Sequence, residues 1–199
     1  MRVLLGDPRW VFAHVTEDGA ELSADHVREA TEPIGPIAGR EIAAMFAFDN
    51  SVHGYFSSKK HGGNHKELEL ARRTSGVRFG TTIYGSQGVI YLPNAIYPNG
   101  AQAYILRSPS WVPTQEADWR PIPVEHDRRF ADQPTMVANV RMVEDLLAAV
   151  NEDREPVCSE RAGRWITEMI TGIYRSQLEG KPVPLPQKVR SHALQGLRN

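Results

Sequence analysis

The apolar residues of this chain repeat with period two through its first two thirds and with steps of three and four after Pro134. That one change of period constrains the fold more than any other feature, because strand side chains alternate between faces while helical ones return every 3.6 residues. The clearest strand signal is "VRFGTTIYGSQGVIYLP". Val77, Phe79, Thr81 and Ile83 alternate with Arg78, Gly80, Thr82 and Tyr84. Gly85-Ser86-Gln87-Gly88 supplies a turn, Val89 to Leu92 return, and Pro93 stops the run. A second hairpin is predicted from "EIAAMFAFDNS", which ends at the turn signal Asp49-Asn50-Ser51, and "VHGYFSS", which runs back from it. "WVFAHVTEDGAEL" predicts a strand over Trp10–Thr16 closing at Asp18-Gly19. "AQAYILRS" and "DWRPIPV" predict two more strands, the second broken by proline and therefore at an edge.

The pattern then turns helical. Met136, Val140, Val143, Leu147 and Val150 form one stripe, with Asp132 as N-cap and Pro134 in the first turn. A second helix is capped by Ser159 and carries Trp165, Met169, Ile170, Ile173 and Tyr174, with Gly180 as its stop. "KPVPLP" is an extended exit. Strands grouped before helices predict an α+β fold: a large, mainly antiparallel, open-faced sheet with helices packed on one face. No tandem β-α-β unit and no internal repeat is visible.

The 199 residues suit one domain, over residues 1–186, followed by a tail over 187–199. Net charge is −1, with no basic block, which weighs against nucleic acid or an anionic membrane as partner. No apolar run reaches the roughly 18 residues a membrane span needs, and no secretory signal is visible, so a cytoplasmic location is expected. Cys158, the only cysteine, excludes an internal disulfide and any multi-cysteine zinc site.

The chain has no G-x-G-x-x-G after a strand, no phosphate-binding G-x-x-x-x-G-K-[ST], no G-x-S-x-G and no H-E-x-x-H. The most suggestive positive signal is "HGGNHKELE". His61 and His65 stand four apart with Glu67 and Glu69 following, the spacing of a chelating pair on a helix. Gly62-Gly63 disfavours a helix there. Three readings stay open: a divalent-metal enzyme, a mobile polar loop, or a loop bordering a substrate pocket. Lys59 and Lys60 are candidates for contact with a sugar or carboxylate, with plain solvation as the alternative. His14 and His53 sit inside strand patterns, where hydrogen-bonded sheet residues are the rule. Trp111 and Trp119 read as cover for a sheet edge. No paired carboxylates mark a general acid or base.

The opening "MRVLLGDPRW" reads as the end of a helix, stopped by Gly6 and Asp7-Pro8. Taken in order, "MRVLLGDPRWVFAHV", the hairpins "FAFDNSVHGYFSS" and "FGTTIYGSQGVIYLP", and the closing "NVRMVEDLLAAVNEDREPVCSERAGRWITEMITGIYRSQLEGKPVPLP" resemble the C-terminal domain of the Gfo/Idh/MocA oxidoreductases. The resemblance covers nearly the whole chain. It implies an N-terminal Rossmann domain that binds NAD or NADP, absent here, and a substrate that is a small sugar or polyol. It further implies one sheet face toward substrate and nicotinamide, and the other toward a second subunit. The family's lysine lies in the nucleotide domain, and its aspartate and histidine lie on the helix that ends "RVLLGD" here. No residue of this chain matches those catalytic positions, so no catalytic, cofactor-binding or metal residue is carried over. What remains is a substrate-side loop, Lys59, His61 and His65. The chain is accordingly expected to be the substrate-binding and oligomerisation half of an NAD(P)-dependent sugar or polyol oxidoreductase, inactive alone. A non-catalytic binding or self-assembly module is the alternative.

Overall fold

A computed structural model describes residues 1–31, 35–59, 80–92, 103–106, 119–123 and 134–197. The described chain forms an α+β fold in two compact bodies, Met1–Gly62 with Cys158–Asn199, and Gly63–Val157. Every strand pairing among the described residues is antiparallel.

In the first body a short helix, α1 (Arg2–Leu5), closes on Gly6, whose N–H donates to the Arg2 carbonyl at 2.8 Å. Strand β1 (Trp10–Glu17) follows and turns through Asp18 and Gly19, both at positive φ, into β2 (Ala20–Glu21). A small hairpin of β3 (Arg28–Glu29) and β4 (Pro36–Ile37) leads to β5 (Glu41–Ala47) and β6 (His53–Lys59). After the long helix α3 (Glu160–Glu179) the chain returns as β11 (Val183–Pro184). The sheet order is β11-β1-β5-β6, with β2 on β1.

Alternation along β1 decides which face is covered. Val11, Ala13 and Val15 are buried, as are their partners Ala44 and Phe46 on β5, and all of them share a core with Ile173, Tyr174, Val183, Leu185 and Leu194. Full burial of each larger side chain contributes about 2 kcal/mol. Helix α3 covers this face. Its cap matches the sequence: Ser159 Oγ accepts from the Ala162 amide at 3.2 Å, and Gly180 ends it in the left-handed conformation.

The helix presents more than the expected apolar stripe to the core. Ile173 and Tyr174 are buried and Trp165 and Met169 pack at its margin, but Ile170 is 49% exposed. Between them Glu168, Thr171, Gly172 and Ser176 are buried. Gly172 sits where a Cβ would lie 2.9 Å from Val11 Cγ1 and 3.2 Å from Leu185 Cδ2, so the helix rests close against β1. Closeness lets its polar side chains reach the strand. The Ala13 amide donates to Ser176 Oγ at 3.0 Å, and the Val15 amide donates to Gln177 Oε1 at 2.6 Å. Ser176 Oγ in turn donates to the Lys181 carbonyl at 2.8 Å. On this edge β11 pairs only with Trp10 and Val11 and β2 only with Thr16 and Glu17, so between them helix side chains satisfy Ala13 and Val15.

At the far end of β1, Glu17 gathers Arg28 at 3.0 Å, Arg40 at 3.0 Å and the Gly39 amide at 2.9 Å. Burial acts upward on its carboxyl, but the Arg28 hydrogen bond and charge, then Gly39 and Arg40, together hold it below the usual carboxylate range.

The second body holds a four-stranded sheet in the order β10-β9-β8-β7. β7 (Thr81–Gly85) and β8 (Gly88–Leu92) form the expected hairpin, with Gly85 opposite Gly88. β9 (Tyr104–Leu106) pairs with β8, and β10 (Trp119–Pro121) stands at the edge, as its proline requires. Helix α2 (Pro134–Glu152) begins at Pro134. Asp132 lies outside the described residues. Most of the stripe read from the sequence is exposed on α2: Met136, Val143, Leu147 and Val150, the last to 73%, while Val140 is half-buried and Val137 and Ala149 are buried. Asp145, within the helix, accepts from the Val157 amide at 2.7 Å and from Arg154 at 2.9 Å, both in the segment that follows it. Those contacts hold its carboxyl below the usual range.

Two substitutions test this packing. Gly39 has a φ of 82°, and a Cβ there would collide with Val15 Cγ1, whereas Gly19, at the same φ, has nothing within 4 Å. Gly39→Ala is expected to cost about 3 kcal/mol, roughly 10 °C in Tm, and Gly19→Ala about 1 kcal/mol, each followed by thermal circular dichroism. Ser176→Ala strands the buried Ala13 amide and is expected to cost about 2 kcal/mol in denaturant unfolding.

Candidate functional site

The face of the five-stranded sheet turned away from α3 carries the second set of alternating residues. Cross-strand register places them in rows. Trp10, Ala47 and His53 form the first row, with the Trp10 and His53 rings 6.4 Å apart. Phe12, Met45 and Tyr55 form the second, His14, Ala43 and Ser57 the third, and Thr16, Glu41 and Lys59 the fourth. Aromatic area is exposed across this face: Phe12 is 42% accessible and Tyr55 74%.

Polar groups gather at one end of the rows. Lys59 Nζ lies 2.6 Å from Glu41 Oε1, and Thr16 Oγ1 donates to Glu41 Oε2 at 3.4 Å. His14 Nε2 meets Glu21 Oε1 at 2.9 Å, and Gln177 Nε2 donates to the other Glu21 oxygen at 2.8 Å. The His14 and Gln177 hydrogen bonds hold the Glu21 carboxyl below the usual range. Both imidazoles in strand patterns therefore lie on the open face, one in a carboxylate pair and one beside an indole.

Of the substrate-side residues expected from sequence, Lys59 ends β6 in that ion pair, while His61, His65 and Lys60 lie outside the described residues. Among the described residues no group of three His, Cys, Asp or Glu side chains converges to hold a metal ion. Cys158 is exposed. Trp119, expected at an edge, is there, with its ring edge-on to Tyr91 at 6.1 Å. Sequence reasoning missed Glu21 and Gln177 as members of the open-face rim. They join His14 only through the β1–β2 turn and the end of α3, contacts of 7 and 156 residues in separation.

A dinucleotide requires a strand, a glycine-rich turn and a helix N-terminus that accepts the pyrophosphate. Among the described residues the strands pair antiparallel and no strand leads through a glycine-rich turn into a helix in that way. No helix among the described residues is long and apolar enough to cross a membrane.

Because Lys59 and Glu41 meet at an exposed position, their pair contributes less than about 1 kcal/mol. Lys59→Ala is expected to leave the thermal midpoint within about 3 °C of wild type by differential scanning calorimetry. A larger loss would show that the pair is structural.

No protein-family model and no curated protein sequence matches the chain. Solved structures do. The aldose–aldose oxidoreductase of Caulobacter crescentus, in complex with glycerol, superposes with a TM-score of 0.57 at 18% identity, over 92% of this chain and 43% of that one. An NAD-binding oxidoreductase from Klebsiella pneumoniae gives 0.58 at 14% identity, over 94% and 48%. Levoglucosan dehydrogenase with NADH and levoglucosan gives 0.56 at 17%, over 94% and 47%. This chain thus shares a fold with these oxidoreductases and spans less than half of the length of each.

Proposed function

We propose that this chain is the substrate-binding and oligomerisation half of an NAD(P)-dependent sugar or polyol oxidoreductase of the Gfo/Idh/MocA type. The observation that carries the proposal is the likeness in fold, over more than nine tenths of this chain, to oxidoreductases whose own chains are about twice as long. Those include proteins solved with glycerol, with levoglucosan and with NADH. In this reading a second, nucleotide-binding domain supplies the cofactor cradle and the proton-transferring residues. The present chain supplies one wall of the pocket, with Lys59, His61 and His65 on its border, and a sheet face that packs on a second copy.

The chemistry explains why one half does not suffice. Hydride transfer needs the reactive carbon of the cofactor and the substrate carbon held in near-attack geometry. A wall without the cradle orients a sugar but has no hydride acceptor. The purified chain is therefore expected to give no NADH or NADPH formation with a panel of aldoses and polyols followed at 340 nm. Turnover at an enzymatic rate by the chain alone would overturn the proposal.

A second reading, a non-catalytic self-assembly module, draws on the exposed aromatic face of Phe12 and Tyr55. The two readings share self-association and part over ligand. Multi-angle light scattering is expected to show a concentration-dependent dimer that Phe12→Glu with Tyr55→Glu reduces to monomer. Saturation-transfer NMR with glycerol and small sugars separates them: binding that Lys59→Ala weakens supports the oxidoreductase half, and none supports the module. A strictly monomeric wild type sinks both versions of the assembly claim.

A further inference from the structure

The end of the described chain is held by a histidine acting as a hydrogen-bond acceptor. His192 opens the 3₁₀ turn Ala193–Leu197. Its Nδ1 accepts from the Leu194 amide at 3.3 Å, and its carbonyl accepts from the Gln195 amide at 3.1 Å. The imidazole thus takes the N-cap role that Ser, Asp or Asn usually fill. An imidazole nitrogen accepts only while it carries no proton, and a cation at a turn N-terminus also opposes the local amide dipoles.

What this cap holds is not peripheral. The Leu194 side chain has no exposed surface and belongs to the core with Ala38 and Tyr174. The His192 ring lies 5.9 Å from the Tyr174 ring, and a Cβ added at Gly35 would make ordinary contact with its Cδ2 at 3.7 Å. The Tyr174 hydroxyl donates to the Ala38 carbonyl at 3.1 Å. One imidazole therefore lies beside Tyr174 of α3 and Gly35 while it caps the last turn.

We infer that the closing segment is a proton-released strap: an unprotonated His192 keeps Leu194 seated between α3 and the β4 segment that ends at Ala38, and acid lets the turn go.

The charged groups around it support this sign. From β3, the Glu29 carboxylate acts on His192 in the upward direction. From α3, Tyr174 contributes an aromatic face and Arg175 donates to the Ser191 carbonyl at 3.1 Å, placing a cation beside the turn. Arg190 lies 3.9 Å from Glu168, and so is directed to that carboxylate. Burial outweighs Glu29 and holds the imidazole below its ordinary 6.5. A group whose folded-state titration point is lowered binds fewer protons folded than unfolded. The strap is accordingly at full strength above 6.5 and weakens as pH falls through that value to the lowered titration point of the closed form.

Release stops short of the whole segment. Its near end is pinned by Gln187, whose amide donates to Glu168 Oε2 at 2.8 Å and whose side chain donates to the Glu168 carbonyl and to Thr171 Oγ1. His26 shows the contrast. Its Nδ1 also accepts from a backbone amide, that of Ser23, but Ser23 Oγ lies 3.3 Å away and can accept from it once it is protonated. Among the described residues His192 has no such second partner.

Amide hydrogen exchange on the full chain tests the strap, with rates converted to protection factors to remove the intrinsic pH dependence. From pH 7.5 to pH 5.5 protection at Leu194 and Gln195 is expected to fall, in the direction that a lowered folded-state titration point of one group dictates. His192→Asn keeps an uncharged cap and is expected to hold the same protection at both pH values. Unchanged wild-type protection, or a parallel fall in His192→Asn, overturns the proposal. Should the variant not fold, NMR titration of His192 in the wild type decides: a midpoint at or above 6.5 overturns it equally.

Discussion

Everything in the first body hangs on how α3 meets the free edge of β1. A strand with one unsatisfied edge carries buried amides that must find acceptors or cost about 1–3 kcal/mol each. Here β11 covers only two residues, and Ser176 and Gln177 complete the edge for Ala13 and Val15. The arrangement works because Gly172 lets the helix come down onto Val11. A larger residue there lifts the helix, and Ser176 then falls short of the strand. Close approach, edge satisfaction and core packing are thus one constraint rather than three.

The strands of this fold were legible because alternation survives in any single sequence. Trp10–Thr16, the Asp49 turn, the Gly85–Gly88 hairpin and the edge position of Pro121 all follow from residues that act locally. The ends of α3 were legible for the same reason, since Ser159 and Gly180 are local signals. Its buried face was not. Hydropathy ranks Ile170 above Glu168 and Ser176, yet the first is half exposed and the others are buried, because the distant amides of Gln187 and Ala13 want acceptors and a close approach. On α2 periodicity found the helix and left open what meets its stripe, most of which is exposed among the described residues.

The candidate site divides in the same way. Lys59 is readable as a cation at the end of a strand, and the open face as the other half of an alternation. The rim of His14, Glu21 and Gln177 is not readable, because it is assembled from β1, β2 and the far end of α3. One face of the sheet is therefore committed to holding α3 and the other keeps its aromatic residues outside. That division leaves Phe12 and Tyr55 exposed on the face opposite the helix.

The tie between Val15 and Gln177 spans 162 residues, and that between Ala13 and Ser176 spans 163. Chain closure over such a distance carries an entropic cost that local pairing does not, and it slows assembly. During synthesis the first strand leaves the ribosome long before the helix that finishes it. Until residue 177 emerges, the nascent chain carries an incomplete hairpin with two bare amides, a form suited to chaperone capture and prone to pairing with the wrong neighbour.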